Sequence, residues 1–107
     1  LEPSIVSANL AFSEIAPLLW LRAGGIGEII EYSKSYVIGE TYAVLFDYSY
    51  VEQFITCIKS NKSKITHIFV VTDIDSRYRN LCGAFSGKEI IQLYESYLRS
   101  FEIKAGV

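Results

Sequence analysis

Two apolar runs, Thr41-Tyr42-Ala43-Val44-Leu45-Phe46 and His67-Ile68-Phe69-Val70-Val71-Thr72, each stop at an aspartate, Asp47 and Asp73. This feature narrows the available folds more than any other. A strand wetted on one face alternates apolar and polar residues, whereas a strand covered on both faces is apolar nearly throughout, as in parallel α/β sheets. Between the two runs the period changes. Val51, Phe54, Ile55 and Ile58 fall at i, i+3, i+4 and i+7, the stripe of a short amphipathic helix. Ser49 and Glu52 have capping-box spacing at its start. Lys59, Lys62 and Lys64 gather at its end, where the macrodipole favours positive charge.

The pattern repeats downstream. Ser76 opens a helical segment through Arg77, Tyr78, Leu81 and Cys82 that ends between Gly83 and Gly87. Glu89 to Leu93 reads as a third strand. Tyr94, Tyr97, Leu98 and Phe101 then give the stripe of a closing helix. Upstream, Tyr36-Val37-Ile38 followed by Gly39-Glu40 reads as a hairpin or strand-to-strand corner leading into Thr41. In the N-terminal segment, Phe12, Ile15 and Leu19 share a helical face. Pro17 is expected to divide it, sitting near the start of a second short helix with Gly24 or Gly25 past its end. The expected fold is therefore α/β: a small three-layer domain with a mostly parallel sheet. Its order is β-α-β-α-β-α after a helical segment and the hairpin, joined by right-handed crossovers.

Length and composition set limits. The 107 residues suffice for one domain, 1–107. Half of them are hydrophobic, ample for a packed core. The opening Leu1-Glu2-Pro3 and the lack of any methionine suggest a domain excised from a larger protein. A net charge of −2 and a pI near 5.3 argue against free-standing non-specific nucleic-acid binding, which needs a surplus of Lys and Arg. Cys57 and Cys82 fit no zinc spacing and read as reduced residues of a cytoplasmic protein. The longest apolar run is too short for a membrane span, and no basic leader precedes a cleavage site.

Chemistry is less constrained. If the two long strands are parallel neighbours, Asp47, Asp73 and Asp75 meet at one sheet edge, where α/β domains place their sites and where Mg²⁺ would find oxygen ligands. That supports one reading, a free-standing domain with an acidic strand-end Mg²⁺ site for phosphoryl-transfer or nuclease chemistry. The plainer reading makes these carboxylates turn and helix caps. The segment Arg22-Ala23-Gly24-Gly25-Ile26-Gly27 lacks phosphate-loop spacing and reads as a helix stop, with Arg22 beside it as an anion contact. Arg77, Tyr78 and Arg79 form a basic–aromatic cluster suited to a nucleic-acid or partner contact, against the ordinary reading of a solvated helix face. Tyr42, Phe46, Phe54, Phe69 and Phe101 lie on core-facing stripes, while Tyr48, Tyr50 and Tyr78 are freer. A protein-interaction module, marked by an exposed apolar patch, is a third reading.

Four segments occur in one order: Ala16-Pro17-Leu18-Leu19-Trp20-Leu21-Arg22-Ala23-Gly24, Thr41 to Asp47, Ile68 to Asp73, and Gln92-Leu93-Tyr94-Glu95-Ser96-Tyr97-Leu98-Arg99-Ser100-Phe101-Glu102-Ile103. Together they resemble the C-terminal region of bacterial adenine-specific DNA methyltransferases of restriction–modification systems, of the type III-like kind. The resemblance covers about Ala16 to Ile103, and the closing L-Y-x-x-Y-L-R-x-F-x-I is its most distinctive part. It implies a parent enzyme that uses S-adenosylmethionine, binds DNA as the full-length protein, and assembles with a restriction subunit or as a homodimer. The family's D/N-P-P-Y/W and F-x-G-x-G motifs do not occur here. The resemblance thus implies an accessory, non-catalytic domain supporting DNA target recognition or subunit assembly. No catalytic or cofactor-binding residue carries over.

Overall fold

A computed structural model describes residues 3–60, 64–94 and 96, with side chains from residue 10 onward. Helix α1 spans Pro3–Arg22, strand β1 Tyr36–Ile38 and strand β2 Tyr42–Leu45. A single 3-10 turn, Tyr48–Tyr50, leads into helix α2, Val51–Ser60. Strand β3 is His67–Val71, helix α3 Asp75–Ala84 and strand β4 Glu89–Leu93. Among the described residues the fold is α/β, with three helices and one four-stranded sheet in the order β1-β2-β3-β4. β2, β3 and β4 run parallel, and β1 pairs antiparallel with β2. The sheet is thus mixed, with one antiparallel pair beside two parallel ones. Of the expected closing helix, only Tyr94 and Ser96 fall within the described residues, and Phe101 lies outside them.

Side-chain alternation divides the core in two. On one face Tyr42, Val44, Phe46, Phe69 and Val71 pack with Phe12, Ala16 and Leu19 of α1. On the other, Ala43, Leu45, Ile68, Val70 and Ile90 pack with Phe54 and Ile58 of α2 and Leu81 of α3. Successive residues of a strand point to opposite faces, so an unbroken apolar run requires cover on both. The strand order also explains which helix lies where. Strands added in one direction through right-handed crossovers put both connecting helices on the same face. α1 is left to cover the other.

α1 departs from the sequence expectation, because Pro17 lies inside one continuous helix rather than at a break. Proline removes the N–H that would bond the carbonyl of Ser13. Ser13 and Pro17 are both exposed, so water can reach the orphaned carbonyl. Phe12, Ala16, Leu19 and Ala23, all buried, hold the two halves on one line. Phe12 sits edge-on to Phe46 with ring centroids 4.8 Å apart. The opposite side of α1 is also apolar: Leu10, Leu18 and Leu21 are 54%, 63% and 60% exposed. No helix among the described residues is long and apolar enough to cross a membrane.

The segment between α1 and β1 is fastened by a buried polar contact. The backbone N–H of Ile30 donates to the Tyr42 hydroxyl at 2.7 Å, inside the α1-side core. Burial raises the Tyr42 pKa above the ordinary phenol value, opposed in part by the Ile30 bond.

Three outcomes follow from this packing. Pro17→Ala restores an intrahelical bond at an exposed site and should raise unfolding free energy by about 1–3 kcal/mol in urea titrations. Phe12→Ala should lower it by ~3–5 kcal/mol. Tyr42→Phe leaves the Ile30 N–H buried without an acceptor and should cost about 1–3 kcal/mol at neutral pH. Because the folded-state pKa of Tyr42 is raised, its contribution is intact below the unfolded tyrosine value and is lost as pH rises through the folded one. The variant should therefore show a shallower alkaline decline in stability than the parent chain.

Candidate functional site

In-register pairing of β2 with β3 sets Leu45 opposite Val70, so the next residues of both strands emerge side by side. A cavity of about 540 Å³ opens there, at the carboxyl ends of the strands. Asp47 and Tyr48 enter it from β2, and Thr72, Asp73 and Ile74 from β3. Arg77 reaches it from the first turns of α3. Tyr32 and Lys34 come from the segment before β1, brought over because antiparallel pairing sets Tyr36 opposite Leu45.

The carboxylates have defined local tasks. Asp47 accepts the backbone N–H of Ser49 at 3.0 Å and its hydroxyl at 2.8 Å, capping the 3-10 turn ahead of α2. The expected capping box is therefore replaced: the acceptor is Asp47, and Ser49 is the donor. Asp73 accepts the Ser96 backbone N–H on both oxygens at 3.1 Å and its hydroxyl at 3.3 Å. Asp75, the first residue of α3, is exposed and accepts the Gln92 amide at 3.3 Å. That same amide donates to the Thr72 carbonyl at 3.0 Å. Asp47 and Asp73 share the cavity; Asp75 does not line it. Among the described residues no group of three or more His, Cys, Asp or Glu side chains converges to hold a metal ion.

The basic–aromatic candidates are dispersed. Arg77 lies over the Tyr48 ring with its guanidinium carbon 4.9 Å from the centroid. Consecutive helical residues point about 100° apart, so Arg77, Tyr78 and Arg79 cannot share one face. Tyr78 packs half-buried against the Phe54–Leu81 core. Its hydroxyl pKa is raised, first by hydrogen bonding with Cys82 and then by that thiol's charge. Arg79 is exposed. Arg22 lies at the other end of the sheet, 3.3 Å from Glu89 at the start of β4.

Glu89 also bonds His67 Nε2 at 2.8 Å, while His67 Nδ1 meets the Thr66 hydroxyl at 2.7 Å. This Arg22–Glu89–His67 chain escaped the reading of the sequence. The available signal was that His67 and Glu89 each begin a strand, and parallel neighbours start level, as their register shows. Lys34 and Tyr32 carry no such pattern: they reach the site because the arm entering the hairpin runs to the carboxyl end of β2.

The glycine segment is a helix stop. The N–H groups of Gly24 and Gly25 donate to the carbonyls of Leu21 and Trp20, at 3.0 and 2.9 Å, so they are engaged in closing α1. A side chain at Gly27, where φ is +78°, would meet the Glu40 carboxylate at 2.9 Å. These features do not form an anion cradle.

With the carboxylates engaged in this way, titration with Mg²⁺ to about 1 mM should leave the NMR signals of Asp47, Asp73 and Asp75 in place. A concerted shift of all three would revive the metal reading. In comparisons with protein-family models, curated proteins and solved structures, the chain matches none.

Proposed function

We propose that the chain is the C-terminal accessory domain of a bacterial adenine-specific DNA methyltransferase from a type III-like restriction–modification system. In this reading it supports target recognition or subunit assembly and transfers no methyl group itself. The observation that carries the proposal is the ordered set of four segments ending in L-Y-x-x-Y-L-R-x-F-x-I, together with the absence of D-P-P-Y and F-x-G-x-G. The chemistry then belongs to another part of the parent chain. There, S-adenosylmethionine supplies the methyl group and the target adenine is turned out of the duplex.

Supporting features come from where the resembling residues fall. Ala16 to Gly24 is the end and stop of α1; Thr41 to Asp47 is β2 and its cap; Ile68 to Asp73 is β3 and the carboxylate that receives Ser96. The resemblance therefore runs along the elements that make the core and the strand-end cavity. The closing segment lies largely outside the described residues. Outward-facing Leu10, Leu18 and Leu21 supply apolar surface suited to packing against the rest of the parent enzyme or a second subunit. The finer architecture belongs to the same reading. It is a three-layer domain with a mostly parallel sheet, supported by separate core clusters on the two sheet faces.

The decisive measurement is the coding sequence upstream in the same reading frame. A D-P-P-Y-type motif and an F-x-G-x-G motif are expected there, and their absence would sink the assignment. In the full-length enzyme, deletion of this domain should abolish site-specific DNA binding or subunit co-purification while leaving S-adenosylmethionine binding by the remaining chain unchanged.

A further inference from the structure

Helix α1 is apolar on every side. Phe12, Ala16 and Leu19 lie in the core, and between Leu10 and Leu21 the only charged residue is Glu14. A helix of that character is normally covered all round. Yet Leu10, Leu18 and Leu21 are exposed, and so are Ile26 and Ile29 in the segment that follows. These are five of the eight large apolar residues exposed among the described residues, and Tyr50, Ile74 and Tyr94 are scattered along the rest of the chain. Ile29 adjoins the helix, lining one cleft with Ser13 and Pro17. Single exposed apolar residues need no explanation, whereas a group gathered on one element marks a contact surface.

The charges on this face select the partner. Glu14, Leu18 and Arg22 are spaced four apart and form one ridge along α1, with Leu21 beside Leu18. Among the described residues Glu14 has no ion pair. Arg22 holds Glu89 through one nitrogen at 3.3 Å, and its half-exposed guanidinium has further donors. The ridge is therefore centred on Leu18, with opposite charges at its two ends. We propose that two copies of the chain pair through α1, antiparallel, with Leu18 on the two-fold axis. In that arrangement Glu14 of each copy faces Arg22 of the other, and Leu18 and Leu21 of both copies meet between the two charge pairs. A parallel pairing would set Glu14 against Glu14. A partner carrying one sign of charge would match one end of the ridge and oppose the other. Burial of the leucines supplies the attraction, while the exposed ion pairs, individually weak, fix the orientation. The pairing does not rest on the methyltransferase reading, so the upstream sequence and the experiment below can fail separately.

The test is sedimentation equilibrium of the 107-residue chain, whose single-copy mass is 12.1 kDa. Twice that mass is expected at about 100 µM chain, which corresponds to a dissociation constant on the order of 10 µM or tighter. Leu18→Glu puts two like charges on the axis and should weaken pairing by about 100-fold. Leu18 is 63% exposed, so this variant keeps the fold, which circular dichroism verifies. Glu14→Arg and Arg22→Glu each make both charge pairs repulsive and should each weaken pairing about fivefold. The double variant Glu14→Arg/Arg22→Glu restores opposite charges and should return to within about twofold of the parent. Loss of the Arg22–Glu89 contact cannot produce that recovery, because the double variant lacks the contact too. Ile74→Glu, at an exposed apolar site elsewhere, should pair as the parent does. A monomer at about 200 µM would assign the face to a different partner and overturn the inference, as would a Leu18→Glu chain that still pairs. A double variant no tighter than the single ones would overturn the antiparallel arrangement.

Discussion

The β2–β3 ladder sets Ala43, Val44 and Leu45 against Ile68, Phe69 and Val70, all six shut off from water on both faces. Backbone groups at that depth must pair within the sheet, because an unmatched buried N–H or C=O is costly. The ladder in turn demands two covers. α2 and α3 supply one by the geometry of crossovers, which obliges α1 to supply the other. The same register brings Asp47 and Asp73 out at a common edge and so makes the cavity. Fold and site have one origin.

Much of the architecture was legible because it is written in periodicity. The apolar runs marked β2 and β3, Glu89–Leu93 marked β4 with its ends, and the Val51–Ile58 stripe marked α2. The hairpin before β2 was readable from Gly39, whose N–H bonds the Tyr42 carbonyl at 2.8 Å. Pro17 misled because local propensity treats a missing N–H as a break, while the outcome depends on whether the orphaned carbonyl faces water. That is a tertiary fact. Ser49 misled in another way: Asp47, Ser49 and Glu52 all suit a helix start, and spacing alone cannot choose the acceptor.

The site was half legible. Of the three carboxylates expected at one edge, Asp47, Asp73 and Asp75, the first two line the cavity and Asp75 does not. Their partners were not foreseeable, since Ser96 reaches Asp73 only after β4 has been threaded beside β3. The cluster of Arg77, Tyr78 and Arg79 dissolves once three neighbours in sequence become three directions on a helix. Arg77 stays at the cavity, Tyr78 turns to the core and Arg79 to solvent. Lys34 joins from a stretch with no pattern of its own. Function lies in such cross-element meetings, which is why composition and spacing reach it last.

Each strand of this sheet lies beside the next one in sequence, from β1 through β4. No strand must wait for a distant segment to be inserted between neighbours already paired. In kinetic terms the chain can grow its sheet one ladder at a time, and closing each crossover in turn costs less loop entropy than inserting a distant strand would. A domain assembled this way can organise itself as a unit, while α1 still presents leucines to solvent.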